Sequence, residues 1–167
     1  MKDKMKLYAV AMITHKNEDI KFTTHQGFDW EGIQKAYEKN NQKGKVVAGG
    51  STISQQLAKN LFLSGQRSSV RKVQEAVITL MLEKMMSKKR ILEIYLNIIE
   101  WGDGVFGAEA AARHYFGASA MRLSAPQAAH LAAIVPNPRF YDYRRDTRAL
   151  LKRTNIILGR MNDAPIP

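Results

Sequence analysis

The stretch Gly49-Gly50-Ser51-Thr52-Ile53-Ser54-Gln55-Gln56-Leu57-Ala58-Lys59-Asn60-Leu61-Phe62-Leu63 decides how this chain is read. A glycine pair runs into hydroxyls, amides and a lysine. Thr52 stands three residues before Gln55, the spacing of a capping box, and predicts a helix from there to about Leu63. Ser64-Gly65 ends it, and a second helix carries Arg71, Lys72 and Glu75. A helix start offers free N–H groups and a positive dipole end. Glycines allow a backbone or a ligand to come close. Gly49 to Glu75 therefore reads as an anion-binding surface with an acid set into it. It is not a nucleotide P-loop, because Gly-x-x-x-x-Gly-Lys-Ser/Thr is absent. Taken alone, Gly-Gly-Ser would mean only a turn and a cap.

Composition points the same way. The chain has 167 residues, one domain's worth, and 45% of them are hydrophobic. Lys and Arg total 26 against 15 Asp and Glu, a formal charge of +11. That excess implies an anionic partner: nucleic acid, acidic lipid or a phosphate-bearing substrate. With no cysteine, disulfides and thiolate metal sites are excluded. No apolar run is long enough to span a bilayer, and Leu7 to Ile13 is too short for a signal sequence.

Outward from the opening stretch the pattern is helical. Trp30 to about Asn41 alternates weakly, and residues 40–45 read as a polar, basic loop. Ser69 to Met86 shows Val70, Val73, Val77, Leu80 and Lys84 at helical spacing, with Met81 widening the apolar stripe; Met81, Met85 and Met86 read as core filling. Lys88 to Leu96 is a short helix, Gly102-Asp103-Gly104 a turn, and Gly107 to Phe116 an alanine-rich helix. Ser124 with Gln127 caps a helix through Ile134, which Pro136 and Pro138 stop. A last basic helix is expected from about Arg144 to Met161. Val46-Val47 is the one β-leaning piece. The expected fold is mainly α and irregular rather than a regular bundle.

Two glutamates, Glu18 and Glu75, could divide acid, base and electrostatic roles across a cleft. An arbitrary pair of this kind reads first as two solvated acids. Glu75 shares a helix face with Arg71, and Lys72 borders it. That pattern fits an ordinary helical ion pair, or a basic pair that faces a diphosphate and orients the acid. His25 has no second His or Cys at metal-ligand spacing, which argues against zinc. His114 and His130 read as structural.

The motifs together say more than each alone. Glu18-Asp19-x-x-Phe22-x-x-His25-x-Gly27-Phe28-Asp29 comes first, then Gly49-Gly50-Ser51-Thr52-Ile53-Ser54-Gln55-Gln56-x-x-Lys59-Asn60, then Arg71-Lys72-x-x-Glu75, then Ser87-Lys88-Lys89-Arg90-Ile91-Leu92-Glu93-x-Tyr95-Leu96-Asn97. Gly102 to Gly107 and the alanine-rich helix follow. In order and approximate spacing, over about residues 18–160, this resembles the lysozyme-like glycosyltransferase family. That family includes bifunctional penicillin-binding proteins and monofunctional peptidoglycan transglycosylases, and the lack of a penicillin-binding module resembles the monofunctional branch.

The resemblance implies a mainly α, lysozyme-like glycosyltransferase domain over residues 1–167, N-terminally shortened, with a small mobile jaw region at about residues 30–48. It implies polymerisation of lipid II onto a growing glycan chain carried on undecaprenyl diphosphate, at a membrane surface. Glu18 would be the general base and Glu75 its helper. Lys59, Arg67, Arg71 and Lys72 would surround the leaving diphosphate, whose charge calls for cations rather than a strong acid. Asp19, Phe22, His25, Ser51, Thr52, Gln55, Gln56 and Asn97 would line the substrate site, and Arg153 and Arg160 would lie near the acceptor. No cofactor is implied as required, with a divalent cation (Mg or Mn) an optional aid and no dedicated protein cage for it. The implied setting is the periplasmic face of a bacterial inner membrane, with cell-wall synthesis proteins as further partners and no nucleic acid.

The sequence departs from the family where only 17 residues precede Glu18, without the family's membrane anchor, and where His15-Lys16-Asn17 replaces small residues. Two other readings compete. A lysozyme-like hydrolase would protonate a sugar leaving group and activate water, and has no need of four cations around a diphosphate. A basic non-catalytic module for nucleic acid or membrane would need a recognition helix, and none stands out.

Overall fold

Caps and glycines set the element boundaries in this protein, and the computed structural model shows them in residues 21–45, 49–63 and 68–161. Internal contacts divide the chain between Tyr95 and Leu96, so the described residues fall into units 21–95 and 96–161. Each unit is mainly helical. Glu18, Asp19 and Arg67, together with the β-leaning Val46-Val47, lie outside the described residues.

In the first unit, helix α1 (Trp30–Lys43) opens on Asp29, whose carboxylate accepts from Gly32 N at 3.0 Å. It runs past Asn41, where a loop was expected, because nothing breaks it before Gly44. That glycine takes φ 61° and donates its N–H to Asn41 O at 3.2 Å, an αL stop. Helix α2 (Ile53–Phe62) carries both bonds of the expected capping box between Thr52 and Gln55. Its Ile53, Leu57 and Ala58 are buried, and it packs on helix α3 (Ser69–Met85), which Ser68 caps. Helix α4 (Lys88–Ile98) carries the buried Ile91, Leu92 and Tyr95.

Helix α3 corrects the sequence reading. Its apolar stripe faces outward: Val73 is 65% exposed and Met81 55%, with Val70, Val77, Leu80 and Met85 exposed beside them. The buried side holds Glu75, Thr79 and Leu82. Hydrophobicity alone would have turned the helix the other way. The inward polar groups are tolerated because each finds a partner: Arg71 and Lys72 hold Glu75, and Thr79 Oγ1 donates to Glu75 O at 2.7 Å. Of the methionines read as core filling, Met81 and Met85 are exposed and Met86 is half-buried.

The second unit is built around α6 (Ala125–Ile134), whose Ala128, Ala129 and Leu131 to Ile134 are all buried. Ser124 and Gln127 close the expected capping box. Helix α8 (Arg148–Arg160) packs on it through Leu150, Thr154 and Ile157, at positions i, i+4 and i+7. This last helix starts four residues later than expected, at the Thr147 cap, which accepts from Leu150 N at 3.3 Å. Pro138 does more than stop α6: it sits at the start of a further short helix, α7 (Pro138–Asp142), where its missing N–H costs nothing.

Sequence reading gave only a turn at Gly102 to Gly104. The structure places that turn in a small antiparallel pair, β1 (Glu100–Gly102) with β2 (Val105–Phe106). Two- and three-residue strands carry too little alternation to be read in advance. Trp101 is fully buried, and α5 (Ala108–Phe116) follows at once.

Candidate functional site

The site residues of the first unit lie on α2 and α3, in the residues leading into α2, and in the turn of the first motif. On α3, Glu75 is 2% exposed and carries two cations from its own helix. Arg71 Nη1 donates to Oε2 at 3.3 Å, and Lys72 Nζ donates to Oε1. The Arg71 side chain is mostly buried, while that of Lys72 is half in solvent. Among the described residues, the buried Arg71 Nε has no hydrogen-bond partner. Burying an N–H donor without a partner costs about 1–3 kcal/mol. The helix thus sets two cations around one buried carboxylate.

On α2, side chains divide into those that build and those that are presented. Thr52 Oγ1 accepts from Gln55 N at 3.2 Å and donates to Gly27 O at 2.6 Å. Gln55 Oε1 accepts from Thr52 N at 3.0 Å. Both side chains are buried and committed to the cap. Gln56 Oε1 accepts from Tyr95 OH at 2.8 Å. Lys59 is exposed in the last turn, and no ion pair holds its ammonium among the described residues. Ser51 is half-buried. Of the glycine pair, Gly50 serves packing: a Cβ there would lie 3.0 Å from Ile33 Cα, so this glycine lets the stretch sit directly on α1, whereas a Cβ at Gly49 would meet nothing within 4 Å.

The first motif enters as a turn. Phe22 is fully buried. His25 Nδ1 accepts from Gly27 N at 3.0 Å, and Gly27 takes φ 90°, a conformation that favours glycine. Asp29 is spent on capping α1. Asn97, at the end of α4, is exposed.

In the second unit, Arg153 Nη1 donates to Ala133 O at 2.9 Å, and its guanidinium lies 5.6 Å from the Tyr141 ring centroid. It fastens α8 to the end of α6. Arg160 is exposed in the last turn of α8. A separate polar cluster holds β1. The Asp142 carboxylate accepts from Asp103 N at 3.0 Å and Arg145 Nη2 at 3.0 Å, and lies 2.7 Å from His114 Nε2. Burial works to raise its pKa, but these donors prevail and hold it below the usual value. His130 is pushed down, chiefly by burial.

A family model described as Transglycosylase matches residues 4–162. The chain belongs to the transglycosylase family. It is 68% identical over 151 residues to a biosynthetic peptidoglycan transglycosylase of Laribacter hongkongensis, covering 90% of this chain and 66% of that one. Proteins of the same name from Methylobacillus flagellatus and Nitrosospira multiformis are 67% and 69% identical over 150 residues each. They too match 90% of this chain and have 66% and 65% of their own length covered. The chain thus spans just under two thirds of the length of these curated relatives.

As a transglycosylase-family domain, it brings Glu75, Arg71 and Lys72 together on one helix and places Gln55, Gln56 and Lys59 on the preceding one, with Thr52 as its cap. Among the described residues, no cluster of three or more acids and histidines could hold a metal ion. Both Glu75 oxygens already face cations, so this carboxylate does not fit a divalent-cation cage. Sequence reasoning missed a second, largely enclosed acid, Glu83, and gave no role to Ser54 or Lys88, which bond to it. The signal was there: Glu83 follows Glu75 by eight residues, returning near the same helix face.

Proposed function

We propose that this domain is a peptidoglycan glycosyltransferase that polymerises lipid II into β-1,4-linked glycan with inversion, releasing undecaprenyl diphosphate. Glu18 takes the proton from the acceptor sugar's 4-hydroxyl. That oxygen attacks the donor's anomeric carbon as the bond to diphosphate breaks, and the electron pair leaves with the phosphate oxygen. Positive charge, rather than an acid, stabilises such a leaving group. The observation that carries the reading is the α3 charge set: a buried Glu75 held by Arg71 and Lys72, with Arg71 Nε unpaired among the described residues. Arg is suited to phosphate recognition. Lys59, exposed on α2, and Arg67 complete the cations assigned to the diphosphate.

Membrane contact is supported by two features. The chain carries +11, and α3 exposes Val70, Val73, Val77 and Met81, with Leu61 and Phe62 of α2 also exposed. An apolar stripe bordered by basic side chains suits an anionic lipid surface. No helix among the described residues is long and apolar enough to cross a membrane. The reading places the enzyme in the bacterial envelope, working on lipid-linked substrate at the periplasmic face of the inner membrane.

The test is polymerisation of lipid II by this chain and by Glu18→Gln. The parent is expected to make long glycan. The variant is expected to lose polymerisation while still binding diphosphate-lipid. Polymerisation at the parent rate by Glu18→Gln refutes the assignment of the base, and shortening of finished glycan by the parent favours a hydrolase.

A further inference from the structure

Glu83 is a second acid of α3 with little solvent exposure, and neither the diphosphate set nor the base makes use of it. Its side chain is 9% exposed. Ser54 Oγ, from the second motif, donates to Glu83 Oε1. Lys88 Nζ, from the fourth motif, donates to the same oxygen at 2.6 Å. The ammonium then reaches the first motif at two points: it lies 4.6 Å from the Phe22 ring centroid and 3.5 Å from His25 Nδ1. The stem of Glu83 touches the same turn. A Cβ at Gly27 would lie 3.2 Å from Glu83 Cγ and 2.9 Å from Thr79 Cγ2, so no larger residue fits between the turn and α3.

These contacts are unlike an exposed ion pair. Exposed pairs contribute little, whereas removing one partner of a buried pair leaves an uncompensated charge. Glu83 is where segments from three motifs meet, and one of them is the turn that the chain enters four residues after Glu18.

We propose that Glu83, through Ser54 and Lys88, is a positioning residue for polymerisation: it holds the Phe22–Gly27 turn in register with α2 and α3. This rests on the reading of Glu18 as the base. A group that only supported the fold would lower the amount of active protein. A positioning group lowers turnover in folded protein while leaving substrate affinity alone.

The experiment measures lipid II polymerisation and amide hydrogen exchange on the parent, Glu83→Gln, Lys88→Met and the double variant. Glu83→Gln is expected to lower kcat by roughly tenfold to a hundredfold, the scale of an ångström-level misplacement, with KM unchanged within about twofold. Exchange at residues 22–27 is expected to accelerate. The double variant is expected to be no slower than the worse single, since the pair acts as one unit. Ser54→Ala, a milder cut, is expected to show the same split at smaller amplitude and serves if Glu83→Gln does not fold. Parental kcat in Glu83→Gln, a loss carried by KM, or losses that multiply in the double variant would overturn the proposal. If the parent makes no glycan, the Glu18 reading fails by itself. Exchange then still judges the clamp: acceleration at 22–27 supports it, and unchanged exchange overturns it.

Discussion

At the residue scale, the two partners of Glu75 are not equivalent. Arg71 is 18% exposed and Lys72 53% exposed in their side chains. Arg71→Met removes the buried partner and is expected to cost about 1–3 kcal/mol, read as a lower urea midpoint, and to weaken binding of undecaprenyl diphosphate. Lys72→Met removes a partner that water screens and is expected to cost under about 1 kcal/mol. Equal losses in the two variants would mean that burial does not set the strength of this cluster. This part of the site was legible, because Arg71 and Lys72 precede Glu75 by four and three residues and must share its side of a helix. The depth at which Glu75 sits was not legible, since spacing fixes a face and not its burial. The same spacing rule revealed the capping boxes at Thr52 and Ser124, because their partners are local.

At the element scale, α3 shows where hydrophobic periodicity fails. Its valines and Met81 mark a face correctly, but that face looks outward. The periodicity rule assumes that apolar residues seek the core, and here the inward face is chosen by charge pairing and by the contact of Thr79 and Glu83 with Gly27. Long-range partners of this kind leave no local pattern. The ends of α1 and α8 moved for smaller reasons: an αL glycine at Gly44 and a threonine cap at Thr147 outweigh the general polarity of their surroundings. The outward stripe gives a test. Val73→Glu with Val77→Glu is expected to change stability by no more than about 0.5 kcal/mol per site, yet to reduce sedimentation with anionic vesicles. Unaltered vesicle binding together with a lower melting temperature would show that the stripe is covered by protein.

At the scale of the whole molecule, stability is expected to fall with acid in two steps. His130 has a folded pKa below its ordinary 6.5 because of burial, with Asp146 opposing that shift and Arg145 adding to it. A lowered pKa means that the unfolded chain binds the proton first. The stabilisation is therefore whole above about pH 6.5 and lost as pH falls through the folded value. Asp142 is also lowered, so its contribution is whole above about pH 4 and lost below it. Urea midpoints measured from pH 8 to pH 3 should show both steps, and His130→Asn should remove only the upper one. The mainly α class was legible from end to end, because caps and breakers recur along the sequence. The Glu83 hub was not, because its three motifs are dispersed along the chain. That dispersion has a consequence for synthesis. Thr52 grips Gly27 across 25 residues, and Lys88 reaches His25 across 63. A nascent chain emerging from the ribosome holds the first motif's sequence long before it holds the groups that shape it. The turn at Phe22 to Gly27 thus acquires its full set of anchors only after Lys88 has been made, and translation alone keeps the early chain from assembling this part of the site.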